Sequence, residues 1–186
     1  MPLESSDTPK SDFHPACWPE EQLLAQCRLT FSRASGPGGQ NRNKVETSVQ
    51  IEYVPAGIIA AASERRTQNE NRKVALQRLR CKLAVEIRPA LELVAMNRSS
   101  NTRAVTETWK RYCRDGRIDI AESNHEWPSI LAEIIGVLCG FEWSIGGAAT
   151  ALGTSSSQLV KVLKKYPPAF LLLNRERKLR GQNPWR

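Results

Sequence analysis

The sequence predicts an α+β fold: a small three-stranded antiparallel sheet with one packed helix, then an α-helical C-terminal region containing a helix-turn-helix-like pattern. Three observations carry this expectation. Ser48 to Val54 alternates, with Val49, Ile51 and Tyr53 on one side and Gln50 and Glu52 on the other. Within Arg72 to Ile87, Leu76, Leu79, Leu83 and Ile87 recur at spacings of three and four, one apolar stripe on a helix. Beyond residue 99 the apolar residues keep helical spacing between proline and glycine breaks.

In chain order, residues 1–24 read as a flexible leader, because Pro, Ser and Asp dominate and periodicity is absent. Residues 25–98 form the sheet domain. Arg28 to Ser32 is the first strand, Ser48 to Val54 the second, and Pro55-Ala56-Gly57 a turn into a third over Gly57 to Ala61. The helix from Arg72 ends before Pro89. Residues 99–186 form the helical C-terminal domain. Val105, Trp109, Tyr112 and Cys113 share a helical face that Gly116 terminates. Pro128 opens a helix through Ile130, Leu131, Ile134, Ile135 and Leu138 that ends at Gly140. Ala148 to Leu152 is a short helix meeting a turn at Gly153. Ser156 or Ser157 caps the next, with Leu159, Val162, Leu163 and Tyr166 aligned, and Pro167-Pro168 closes it. That pair resembles a helix-turn-helix; a plain αα-hairpin gives the same pattern. A short basic tail follows.

The chain has 186 residues and a mass of 20.8 kDa, which excludes a large multidomain enzyme. No apolar run approaches the ~20 residues that cross a bilayer, and the acidic N-terminus is no secretory signal, so a cytoplasmic protein is expected. The net charge of +8 is unevenly spread: residues 1–24 carry −4, 25–98 carry +7 and 99–186 carry +5. Such charge attracts polyanions, a nucleic-acid backbone above all; a solvated basic surface is the plainer alternative. The five cysteines form no Cys-x-x-Cys pair, and neither His14 nor His125 stands beside one at ligand spacing. Reduced thiols, no metal site and no cofactor are the expectation. A hydrolase pairing Cys27 or Cys81 with His14 or His125 finds no support in spacing.

The most unusual segment is Arg33-Ala34-Ser35-Gly36-Pro37-Gly38-Gly39-Gln40-Asn41-Arg42-Asn43-Lys44, between the first two strands. Three glycines in four residues let a backbone enter φ > 0 and approach a ligand closely. Gln40 ends the run with an uncharged amide that donates and accepts. A backbone N–H there can serve a developing oxyanion, and Arg33, Arg42 and Lys44 can meet phosphates. The pattern is neither a dinucleotide-binding nor a Walker loop.

Residues 33–49, with Pro55-Ala56-Gly57-Ile58-Ile59 and Arg65-Arg66-Thr67-Gln68-Asn69-Glu70-Asn71, resemble the Gly-Gly-Gln domain of the class I peptide chain release factor family. The resemblance spans about residues 25–88 and is strongest to the short codon-independent ribosome rescue factors, with an unusual helical C-terminal extension. It implies ribosome-dependent hydrolysis of the ester joining nascent peptide to P-site tRNA. Gly38, Gly39 and Gln40 would be catalytic, Gln40 acting by positioning water and by electrostatics, since an amide is too weak a base. Arg33, Arg42, Asn43, Lys44, Arg66, Gln68 and Asn71 would contact RNA. The basic C-terminal residues Lys161, Lys164, Lys165, Arg175, Arg177, Lys178 and Arg180 are added as candidate ribosomal-RNA contacts.

Pro37 stands where many members have Ala, Arg42 where they usually have Val, and Arg65 where they have an acid. About 24 residues precede the domain, so codon reading by the usual route is not expected. The expected partners are the ribosome, through large-subunit RNA and P-site peptidyl-tRNA, with no membrane and a monomeric chain. The alternative is a non-catalytic nucleic-acid-binding regulator acting through the helix-turn-helix.

Overall fold

The computed structural model describes residues 14–33, 46–88 and 106–186. Its α+β architecture is the expected one. Strands β1 (Cys27–Ser32), β2 (Ser48–Tyr53) and β3 (Ile58–Ala62) form an antiparallel sheet in the order β1-β2-β3. Ser32 pairs with Ser48 and Cys27 with Tyr53 in one ladder; Val49 pairs with Ala62 and Tyr53 with Ile58 in the other. The alternation of β2 becomes burial: Val49, Ile51 and Tyr53 are buried, as are Ile58, Ala60 and Ala62 of β3.

Residues 14–24 depart from the expected leader. Pro15–Cys17 is a 3-10 turn and α1 spans Glu20–Ala25, with Ala16 and Leu23 fully enclosed. Those two apolar side chains supply the burial that orders the segment. Residues 1–13 lie outside the described residues.

Helix α2 (Gln68–Glu86) begins four residues before the position expected from its leucines. Thr67 caps it: its hydroxyl accepts from the Glu70 backbone N–H, and the Glu70 carboxylate accepts from the Thr67 N–H, a complete capping box. A second departure is its burial on two sides. Ala75, Leu76, Leu79, Cys81, Leu83, Ala84 and Val85 are all buried, because the sheet covers one side of α2 and a later helix the other. Its basic residues finish the sheet. Arg78 donates to Ala61 O at 2.8 Å and Lys82 to Ile59 O at 2.6 Å, so two outward carbonyls of the edge strand are occupied.

In the second half, α3 (Glu107–Tyr112) leads into a two-residue hairpin, β4 (Cys113–Arg114) and β5 (Arg117–Ile118). Gly116 is therefore a hairpin residue rather than a helix stop. Asp115 and Gly116 hold φ of 49° and 73°, the left-handed pair that an Asp-Gly turn favours. Helix α4 (Trp127–Gly140) matches the expected bounds and buries ten residues, among them Ile130, Leu131, Ile134 and Leu138. It is the helix that covers α2. Helices α5 (Ile145–Ala151) and α6 (Ser156–Lys165) are the expected helix pair, with Gly153 at φ 64° between them and Ser155, not Ser156 or Ser157, as the cap.

Pro167-Pro168 ends α6 and also starts α7 (Pro167–Leu179). The expected basic tail, from Arg175, is thus helical as far as Leu179, on a helix anchored by buried Ala169, Leu172 and Leu173. One apolar core runs through both halves. The boundary expected at residues 98 and 99 lies outside the described residues. All five cysteines are free thiols; burial pushes Cys81 up to about 12, with the Glu122 charge adding to it. Among the described residues no single helix is long and apolar enough to cross a membrane.

Candidate functional site

The glycine-rich segment joins β1 to β2, so its two ends stand side by side where Ser32 pairs with Ser48. Gly38, Gly39, Gln40, Arg42, Asn43 and Lys44 lie outside the described residues. What the structure defines is the base on which they are mounted.

That base is polar and dense. Past the last β2–β3 pair, Val49 with Ala62, the first turn of α2 takes over: the Asn71 amide bridges the two chains and the Gln68 amide holds the β2 side. Asn71 Nδ2 donates to Thr47 O at 2.7 Å and to Arg65 O at 3.0 Å, while Asn71 Oδ1 accepts from Arg65 N at 2.9 Å. The Asn71 amide therefore pairs both backbone groups of residue 65, as a neighbouring strand does, and reaches residue 47 as well. Gln68 Nε2 donates to Glu46 O at 3.2 Å. Two consecutive carbonyls, at 46 and 47, are thus tied to the helix immediately after the glycine-rich segment.

Asn71 is 0% exposed. A polar side chain so enclosed is tolerated because its amide is fully partnered. It has no surface to offer RNA, so the expectation that Asn71 is an RNA contact is corrected: its polarity serves the chain itself. Gln68 is exposed, with its amide turned onto Glu46. Arg33 and Arg66 are exposed beside this base and have no polar partner among the described residues.

The C-terminal candidates divide in two. Lys165 Nζ donates to Ile120 O at 2.8 Å and lies over the Trp127 ring at 5.6 Å. Arg177 donates to Trp143 O and Asn183 O, both at 2.9 Å. Lys164 is on Arg186 O at 2.8 Å and above the Phe170 ring, and Arg180 on the Glu176 carboxylate at 2.7 Å. These four are engaged internally. Lys161, Arg175 and Lys178 are exposed, without a polar partner among the described residues. The second half is fastened to the first by more than apolar packing. Arg88, just past α2, lies 5.6 Å from the Trp143 ring centroid and 3.8 Å from the Glu176 carboxylate.

Sequence reasoning missed the roles of Thr47, Arg65 and the Thr67–Glu70 cap. The Thr-x-x-Glu spacing is a readable signal for the cap. The carbonyls of residues 46, 47 and 65 have none, since they belong to the backbone.

With this geometry in place, comparison with known proteins assigns the family. The RF-1 domain family matches residues 23–120, more than half of the chain, and the chain belongs to it. The matched region runs past α2 through α3 and the β4–β5 hairpin. The chain is similar to peptide chain release factor PrfB1, chloroplastic, of Arabidopsis thaliana, at 48% identity over 36% of this chain and 14% of that protein. It is similar to peptide chain release factor 1 of Chlorobaculum tepidum at 55% identity, over 34% of this chain and 17% of the relative. Against peptide chain release factor 1 of Acidiphilium cryptum the identity is 38%, over 47% of this chain and 24% of the relative. The chain thus matches less than a quarter of the length of each.

Proposed function

We propose that this protein hydrolyses the ester of peptidyl-tRNA on the ribosome through Gly38, Gly39 and Gln40, releasing the nascent peptide. The observation that carries this reading is an intact Gly-Gly-Gln triplet in the β1–β2 connection of a chain matched by the RF-1 domain family across that connection. A glutamine amide with a flanking N–H is suited to orienting water and stabilising an oxyanion, while tRNA and ribosomal RNA complete the site. Arg33, Arg42, Asn43, Lys44 and Arg66 contact that RNA, and Gln68 flanks them. Lys161, Arg175 and Lys178 of the helical region contribute phosphate contacts.

The finer part of the proposal is that release is independent of a stop codon, the mode of ribosome rescue, in the cytoplasm and by a monomeric chain of two domains. The test offers free peptidyl-tRNA, ribosomes halted on truncated mRNA, and ribosomes halted at a sense or stop codon. Release is expected on ribosomes only, and on truncated mRNA without a stop codon. Release from free peptidyl-tRNA overturns ribosome dependence; a strict need for a stop codon overturns the rescue mode.

A further inference from the structure

The buried amide at the base of the glycine-rich connection has a consequence for the reaction. A β-ladder holds its strands only as far as the last pair, here Val49 with Ala62. Thr47 and Arg65 lie beyond it, and their backbone groups are satisfied by the side chain of Asn71. Thr47 is seven residues from Gln40 along the chain. Asn71 stands in turn on a helix start fixed by the Thr67–Glu70 capping box, next to Gln68 on Glu46. A side chain with 0% exposure and three hydrogen bonds to two backbone segments has one arrangement open to it. A water-exposed contact could be exchanged for solvent at little loss; this one cannot.

We infer that Asn71 is a positioning residue: its enclosed amide fixes where the chain enters β2, and through that the setting from which Gln40 acts. The inference rests on the peptidyl-tRNA hydrolase reading. It assigns Asn71 to the rate of the chemical step, not to affinity for the ribosome. Positioning is a large lever, since a displacement of about 1 Å can cost of the order of 100-fold in rate.

The experiment measures release against factor concentration on ribosomes carrying P-site peptidyl-tRNA, using the full chain, Asn71→Ala, Gln40→Ala and the double variant. Thermal unfolding of each is recorded alongside. Asn71→Ala is expected to lower the maximal rate by about 10- to 100-fold with the half-saturating concentration unchanged. In the Gln40→Ala background it is expected to cost nothing further. A maximal rate that stays intact while the half-saturating concentration rises overturns the inference, since that is how an RNA contact behaves. So does an additive loss in the double variant. Should Asn71→Ala not fold at the assay temperature, the same comparison is made at a lower temperature where thermal unfolding shows it folded: a loss confined to the maximal rate supports the inference, and an unchanged rate overturns it. No release by the unmodified chain overturns the hydrolase reading and this one with it, whereas release that Asn71→Ala leaves unchanged overturns only this one.

Discussion

Helix α2 is held in two ways along its length. Its body is clamped between apolar surfaces, the sheet on one side and α4 on the other, with Leu79 and Leu83 fully enclosed. Its first turn is held by directed amide and carboxylate hydrogen bonds to backbone at 46, 47, 65 and 67. Apolar packing is strong and non-directional; it decides whether the chain folds. Hydrogen bonds from an enclosed amide contribute less but fix orientation. The same helix therefore draws stability from one region and geometry from the other.

Breaking the apolar body is the largest perturbation of stability. Leu79→Ala removes a fully enclosed side chain and is expected to cost about 2–5 kcal/mol, read from denaturant unfolding. Release by the fraction that stays folded is expected to be near normal. Asn71→Ala sharpens the comparison from the other end. It leaves three backbone groups unpartnered, and a cost of about 1–3 kcal/mol is expected with the disproportionate rate loss described above. A stability loss as large as that of Leu79→Ala, with release merely tracking folded fraction, erases the distinction between the two regions.

Arg177→Ala probes how α7 is held within the second half. It frees the carbonyls of Trp143 and Asn183, and about 1–2 kcal/mol is the expected loss, measured by thermal or denaturant unfolding. A smaller effect is expected at the far end of α2. His14 Nδ1 accepts from the Ala16 N–H at 3.1 Å, and Nε2 donates to Ile87 O at 3.2 Å. Burial lowers the pKa of His14 from its ordinary 6.5, the bond to Ile87 offsetting part of this. Protonation removes the Nδ1 acceptor. The unfolded chain takes up the proton first, so stability is full above pH 6.5 and falls as pH drops below it, levelling once folded His14 is also charged. Unfolding free energies at pH 7.5 and 5.5 should show this slope, and His14→Gln should flatten it. The smallest effects on stability belong to Lys161, Arg175 and Lys178. Each change to Ala is expected to stay within about 0.5 kcal/mol while lowering the salt dependence of ribosome binding by roughly one counterion per cation.

Much of this was legible in the sequence. The alternation of Val49, Ile51 and Tyr53 reports a sheet with one covered face, and the glycine-rich segment falls between two strands because nothing in it can sustain either period. What escaped was non-local or double-valued. Two-sided burial of α2 depends on α4, more than 40 residues later. Gly116 ends a helix or turns a hairpin with equal ease, and only Asp115 before it favours the hairpin. Pro167-Pro168 stops one helix and starts the next, since proline is accommodated at a first turn. Asn71 is the instructive case. The family resemblance of its segment marks it as an RNA contact, and only its surroundings reveal that it serves the fold of the site.

The central claim is that Gln40 acts on the peptidyl-tRNA ester. Its most direct measurement is the single-turnover rate of peptide release from ribosomes on truncated mRNA, with the unmodified protein and Gln40→Ala at saturating concentration. The account predicts a fall of about 100-fold or more with ribosome binding retained. Equal rates for the two proteins would contradict it.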